Sequence, residues 1–282
     1  MLTDAQKAFY RHKGYLVVPQ VLAPSELAKV REVTDRLLEE AAQVGESTGA
    51  FLLEKDAPPG TTLVWRVFDP IARDPYYLEI ARHPRVLDAV EDLIGPSIQL
   101  HNSNMHLKLP EHGGEVDWHQ DFPYLPHTNF DLLNTMILLD DSTPENGCLN
   151  VIPGSHQWGP IGHGSPGESN FKLSAAQRAI GQPVEDVIVP AGGMSLHHCL
   201  TLHSSKPNRS PKPRRALIFT FRAADAVQLG GRTNYAGYGM QLRGENPYRA
   251  RLVSGVLDLP RENTDPRANK VASPQGVGGR RP

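Results

Sequence analysis

The sequence predicts a mostly β fold with flanking helices, an antiparallel sandwich or barrel in a single domain. Three observations predict it. Glycine and proline number 25 each in 282 residues, which suits many short elements with tight connections and not a helical bundle. From Ser97 onward, short segments of strand composition recur, separated by Pro, Gly, Asn and Asp. Helical patterning is concentrated in the first 96 residues.

Taken in order, residues 3–13 read as a short amphipathic helix, with Thr3 or Asp4 as N-cap and Gly14 beyond its end. Residues 14–18 read as a strand. Pro24 opens a second helix, rich in Leu, Glu and Ala, through about Ala42. Residues 43–62 are polar with Gly and Pro and read as a loop. A third helix is expected from Tyr76 to Leu93, stopped by Gly95-Pro96. Strands are then expected near 97–109, 115–121, 132–139, 148–152, 185–189, 193–203 and 214–222. Within this one domain, 1–96 is the mainly helical part packing on the barrel and 97–222 the barrel itself. Residues 223–270 form a rim or lid, and 271–282 a flexible tail.

Composition narrows the function. Hydrophobic residues make 39% and charged residues 21% of the chain, a globular balance. Lys+Arg at 29 nearly matches Asp+Glu at 31, for a net charge of -2, which argues against a nucleic-acid binder. No segment approaches the ~18–20 apolar residues of a membrane span. The first residues lack the apolar core of a signal peptide. Two cysteines, Cys148 and Cys199, are no disulfide framework and read as buried small hydrophobes, so a cytoplasmic location is expected. G-x-S-x-G, G-x-G-x-x-G and P-loop patterns are absent, which removes the usual warrants for a serine hydrolase, a dinucleotide dehydrogenase or an NTPase.

The densest chemical signal is Trp118-His119-Gln120-Asp121. On an extended strand, His119 and Asp121 project together and Gln120 points away. Two His and one carboxylate on one face of an octahedron leave three positions open, the arrangement of non-heme Fe(II) oxygenases. His203 supplies the second imidazole, and the basic pair Arg214-Arg215 opens the strand that follows. Arg214 shares strand parity with Ala216, Ile218 and Thr220. Arg215 shares it with Leu217, Phe219 and Phe221. The bulky face suits packing against helices and the smaller face suits a ligand-holding interior, which favours Arg214 as the inward guanidinium. By the same parity, Asn102, Asn104, His106 and Lys108 share one polar face.

With these residues in view, the chain resembles the phytanoyl-CoA dioxygenase family. The resemblance rests on W-H-Q-D at 118–121, P-E-N-G-C-L-N-V-I-P-G-S-H at 144–156 and H-S-S-K-P-N-R-S-P-K-P-R at 203–214, and it runs to about Arg222. It implies a double-stranded β-helix (jelly-roll, cupin-like) core and an Fe(II)- and 2-oxoglutarate-dependent dioxygenase. By position it places the metal and catalytic ligands on His119, Asp121 and His203. The far carboxylate of 2-oxoglutarate falls to Arg214, with Ser205 as a further contact. Asn104 and His106 become candidates to touch cosubstrate or substrate, and Thr135 is a candidate donor to a 2-oxoglutarate carboxylate. His197 competes in parity with His203, but only His203 carries the S-x-x-N continuation. His112, His127, His156, His163 and His198 read as packing or surface residues. Gly147-Cys148 and Pro153-Gly154 read as turn formers.

The implied reaction consumes O2 and 2-oxoglutarate, hydroxylates an unactivated C–H of a small-molecule substrate, and releases succinate and CO2. The retained Asp121 disfavours halogenation, for which related enzymes replace that carboxylate by a small residue. Trp65, Phe122 and Tyr124 are candidates for the barrel mouth, and residues 230–244 for a lid or rim. No nucleic acid or membrane partner is expected, and the oligomeric state is not legible. Two alternatives stand beside this reading. One is a cupin-type metal enzyme that does not use 2-oxoglutarate, and the other is a non-catalytic jelly-roll binding module.

Overall fold

A computed structural model describes residues 1–54, 61–110, 113–161 and 170–253, without the side chains of 170–174. The expected tail at 271–282, the part of the expected rim beyond 253, and His112 and His163 lie outside the described residues.

The chain begins with α1 (Asp4–Lys13), capped by the Thr3 side chain and a reciprocal Gln6 contact, and ended by Gly14 in the left-handed conformation at φ 80°. A side chain at Gly14 would also run into His156 and Thr201. Next come β1 (Tyr15–Val18) and α2 (Pro24–Ala41). The region expected to be a loop contains β2 (Phe51–Leu53), which pairs with the likewise unexpected β3 (Val64–Phe68). The single helix expected over 76–93 is two, α3 (Pro75–Ala81) and α4 (Pro84–Ile94). Pro84 explains the break: it has no N–H to continue α3, yet it fits the first position of α4, capped by the His83 ring.

The strands that follow are β4 (Ile98–Lys108), β5 (Val116–His119), β6 (Leu132–Leu138) and β7 (Leu149–Val151). After α5 (Asn170–Ala179) come β8 (Glu185–Val187), β9 (Met194–His198), β10 (His203–Ser205), β11 (Arg214–Ala223) and β12 (Gln241–Arg243). The strand expected over 193–203 is therefore two, on different sheets. The turn at 199–202 between them is tied down by Thr201, whose hydroxyl donates to the Gly14 carbonyl at 2.7 Å.

Among the described residues, two antiparallel sheets make a jelly-roll core. The larger runs β1-β9-β6-β11-β4-β3-β2, with β12 added to β4, and the smaller runs β5-β10-β7-β8. The N-terminal part thus adds three strands to its helices. The outer face of the large sheet carries Met105, Leu107, Leu133, Ile137, Leu217, Phe219 and Phe221, packed into one buried cluster with Val30, Val33 and Leu37 of α2 and Val86, Leu87 and Val90 of α4. Each such side chain stabilises the fold by about 1.5–3 kcal/mol on burial. The inner face looks across a cavity at the small sheet. No described helix is long and apolar enough to cross a membrane.

Candidate metal centre

β10 lies between β5 and β7, and its register sets His203 directly opposite His119. The two rings are 4.1 Å apart between centroids. β5 ends at His119, so Asp121 sits not on the strand, as expected, but at the cap position just before a 3-10 turn over 122–124. Its backbone N–H donates to the Cys199 carbonyl at 3.1 Å, which fixes the turn against the end of β9. Gln120 points away, donating to the carbonyls of Gly159 and Leu200. The ligand atoms of His119, Asp121 and His203 all lie within 4.8 Å of one another, with Nε2 to Asp121 Oδ1 distances of 3.9 and 3.8 Å.

The donor set fits a divalent metal ion. His119 Nδ1 is 2.7 Å from the Asp117 carbonyl, and His203 Nδ1 is 2.9 Å from the Thr201 carbonyl. A carbonyl only accepts, so each Nδ1 carries the proton and each Nε2 presents a lone pair toward Asp121. The other carboxylate oxygen, Oδ2, accepts from Asn134 Nδ2 at 2.8 Å and lies 3.2 Å from His197 Nε2. Oδ1 is thereby left facing the two Nε2 lone pairs, three donor atoms available to one metal ion. Burial pushes the Asp121 carboxyl up, but His203, His197 and His119 outweigh it and hold it below the usual carboxylate range. Burial, with His119 nearby, pulls His203 down to about 3, so it is a neutral imidazole at pH 7.

A cavity of about 550 Å³ opens on these three residues. Arg214 lines it, only 2% exposed, with Nε and Nη1 lacking any hydrogen-bond partner. A buried guanidinium left this way is costly unless an anion completes it, so the site fits a carboxylate. Arg215 faces outward and pairs with Asp140 and Asp35. Ser205, Asn104 and His106 also line the cavity. His106 is half-buried, with Nε2 enclosed and unpartnered, and burial, aided by Arg66 and Arg214, holds its pKa well below the usual range.

Lys108 closes the end beside Arg214, donating to the carbonyls of Gly114 and Lys206 at 2.5 Å. Gly147, at φ 75°, allows this approach, since a Cβ there would lie 2.3 Å from the Lys206 carbonyl oxygen. Cys148 and Cys199 are buried and form no disulfide.

Two expectations need correction. Thr135 faces the helices and not the cavity: its hydroxyl reaches the Phe219 carbonyl at 3.4 Å, and its cavity-facing neighbours are Asn134 and Met136. Phe122 is not at the mouth but packs on Phe130, whereas Trp65 and Tyr124 do line the cavity. From the 230–244 segment, Tyr235 reaches the cavity wall. Sequence reasoning missed Asn134 and Arg66, and it treated His197 only as a competitor of His203. His197 and His203 in fact lie side by side, 4.5 Å between ring centroids.

The family model for phytanoyl-CoA dioxygenase (PhyH) matches residues 10–216 of this chain. A probable alpha-ketoglutarate-dependent hypophosphite dioxygenase of Stutzerimonas stutzeri is 31% identical over 261 residues, covering 90% of this chain and 91% of that protein. An ectoine dioxygenase of Stutzerimonas stutzeri (strain A1501) is 27% identical over 239 residues, covering 78% and 76%. The crystal structure of the non-heme alpha ketoglutarate dependent carbocyclase SnoK from nogalamycin biosynthesis matches with a TM-score of 0.69 at 25% identity, over 86% of this chain and 95% of that one.

Proposed function

This chain belongs to the phytanoyl-CoA dioxygenase (PhyH) family, and on that premise we propose that His119, Asp121 and His203 hold its ferrous ion while Arg214 takes the far carboxylate of 2-oxoglutarate. The protein is a non-heme Fe(II)- and 2-oxoglutarate-dependent oxygenase. With both groups bound, such a centre uses O2 to oxidise a substrate and converts 2-oxoglutarate to succinate and CO2. We assign it the hydroxylation of a C–H bond in a small molecule.

The observation that carries the residue assignment is the pairing of two features in one cavity: a His-Asp-His cluster with both imidazoles oriented by backbone carbonyls, and a buried guanidinium with unpartnered nitrogens. Asn134 and His197 hold Oδ2 of Asp121, so the carboxylate offers a single oxygen to the metal. Arg214 anchors the cosubstrate by a paired contact that a lysine could not reproduce. Ser205, on the face it shares with His203, adds a hydroxyl at the same end.

The test is 2-oxoglutarate consumption with O2 and Fe(II), read as succinate release and as a product one oxygen atom heavier in a substrate screen. The reading expects succinate to depend on all three components. Turnover without 2-oxoglutarate would favour the cupin-type enzyme, and absence of iron binding would favour the binding module.

A further inference from the structure

The cavity holds a second guanidinium that the cosubstrate does not require. Arg66 lies on β3, in the large sheet, and lines the same cavity as Asp121 and Tyr235. Its Nε and Nη2 both donate to one oxygen, Asn104 Oδ1, at 3.3 and 3.1 Å. Among the described residues, no carboxylate lies within ion-pair distance of it. Its guanidinium rests over the Phe68 ring, 4.4 Å from the centroid, which fixes the plane without neutralising the charge. Arg215 and Arg251 are matched to acids, Asp140 and Asp225, and Arg222, which has none, spends Nη1 and Nη2 on two separate acceptors, the Ala226 carbonyl and Gln99 Oε1, whereas both donating nitrogens of Arg66 converge on a single oxygen.

The amide that holds Arg66 belongs to a continuous polar chain. Asn104 Nδ2 donates to Asn102 Oδ1 at 3.2 Å, and the Thr220 hydroxyl reaches Asn102 Oδ1 at 2.9 Å and also Asn134 Oδ1. That hydroxyl has one proton and serves one of the two amides at a time. Asn134 in turn holds Asp121. Arg66 is therefore placed, through side chains on β4, β11 and β6, at a fixed position relative to the metal-binding cluster.

We propose that Arg66 is the substrate anchor of this enzyme, and that the substrate is a small molecule carrying a carboxylate or a phosphorus oxyanion, bound there so that its oxidised bond faces the metal. The inference rests on the oxygenase reading above and adds the substrate's chemical class. Arg66 supplies a planar donor fork suited to either anion. The cavity, about 550 Å³, has room for an anion-bearing substrate beside 2-oxoglutarate. Glu115 and Asp117, the exposed acids of the wall, belong to the opposite side, on and beside β5. Burial pulls Arg66 down only to about 10, so it remains cationic at neutral pH.

The experiment is anaerobic calorimetric binding to the protein loaded with Fe(II) and 2-oxoglutarate. The probes are methylphosphonate, phosphite and propionate, with propionamide as the neutral isostere. The wild type is expected to bind at least one of the anions and to bind propionamide at least about tenfold more weakly than propionate. Arg66→Gln keeps a donor for Asn104 and is expected to weaken the anions by at least about tenfold, with 2-oxoglutarate affinity unchanged within about twofold. Arg66→Lys restores part of the loss, as a point charge without the fork. Anion binding unaffected by Arg66→Gln, no anion binding by the loaded wild type, or a loss confined to 2-oxoglutarate would each overturn the proposal. Failure to load Fe(II) and 2-oxoglutarate at all would instead defeat the oxygenase assignment, so the two failures are distinguishable.

Discussion

The β6–β11–β4 layer has two faces built from alternate residues of the same strands, and they are finished in opposite ways. The outer face, with Leu133, Ile137, Leu217, Phe219 and Phe221, is closed by α2 and α4 into apolar packing. The inner face, with Asn134, Thr220, Asn104 and Arg214 buried and His106 half-buried, leaves Arg214 Nε and Nη1 and His106 Nε2 without partners. The outer face is closed by apolar packing, and on it the Ser103 hydroxyl is left without a partner. The inner face is complete only with ligands present, because buried polar atoms without partners cost about 1–3 kcal/mol each. One face stabilises the protein and the other spends part of that stability on a binding site.

This contrast can be broken from either side. The largest effect belongs to the inner face. His203→Ala and Asp121→Ala are each expected to abolish succinate formation, a loss beyond about a hundredfold, while circular dichroism stays unchanged and the thermal midpoint falls little. A collapse of the fold in these variants would mean that the cluster is structural.

On the outer face the same kind of truncation should act on stability. Phe219→Ala is expected to cost about 3–5 kcal/mol in a denaturant titration. Its residual folded fraction should retain 2-oxoglutarate affinity. Third in size is Arg214→Ala, which should weaken 2-oxoglutarate by at least about tenfold in equilibrium binding and leave Fe(II) affinity within about twofold. An equal loss of both ligands would contradict the division of labour between cluster and guanidinium.

The smallest effect concerns pH, at the far end of the inner face. His101, fully buried, has both ring nitrogens unpartnered and sits against His127, 5.2 Å between ring centroids. Burial first, then His127 and Arg222, pulls it down to about 3 from 6.5. The folded state therefore resists protonation that the unfolded chain accepts. Its neutral form supports stability above pH 6.5, and that support is lost as pH falls toward about 3. His101→Gln should flatten the fall of the unfolding free energy over that window, measured as the difference from wild type. An unchanged slope would show that other groups carry it.

The contrast also explains what the sequence made legible. Parity along R-R-A-L-I-F-T-F separates Arg214 from Arg215 because one face is uniformly bulky. H-x-D spacing signals convergence even though Asp121 lies past the strand end, since the turn continues the approach to His203. Parity fails at Asn134-Thr135, two adjacent polar residues in an apolar strand. Only the pairing of Asn134 with Thr220 and of Thr135 with Phe219 decides which one faces inward. Arg66 is not legible because β3, at Val64–Phe68, follows the 43–62 loop in a stretch with no element signal of its own, and because its significance lies in an absent acid, which no motif encodes. The break at Pro84 was readable from proline chemistry, but the apolar periodicity running through it masked the signal.

The most direct test of the central claim is an anaerobic titration of the apoprotein with Fe(II), followed by 2-oxoglutarate, monitored for the visible metal-to-ligand charge-transfer band. The wild type is expected to take up one Fe(II) per chain and to show a band that saturates with 2-oxoglutarate. His203→Ala should bind no iron at comparable concentrations, and Arg214→Ala should bind iron but develop the band only at much higher 2-oxoglutarate. Full iron binding by His203→Ala, or a band in Arg214→Ala at wild-type 2-oxoglutarate concentrations, would contradict that claim.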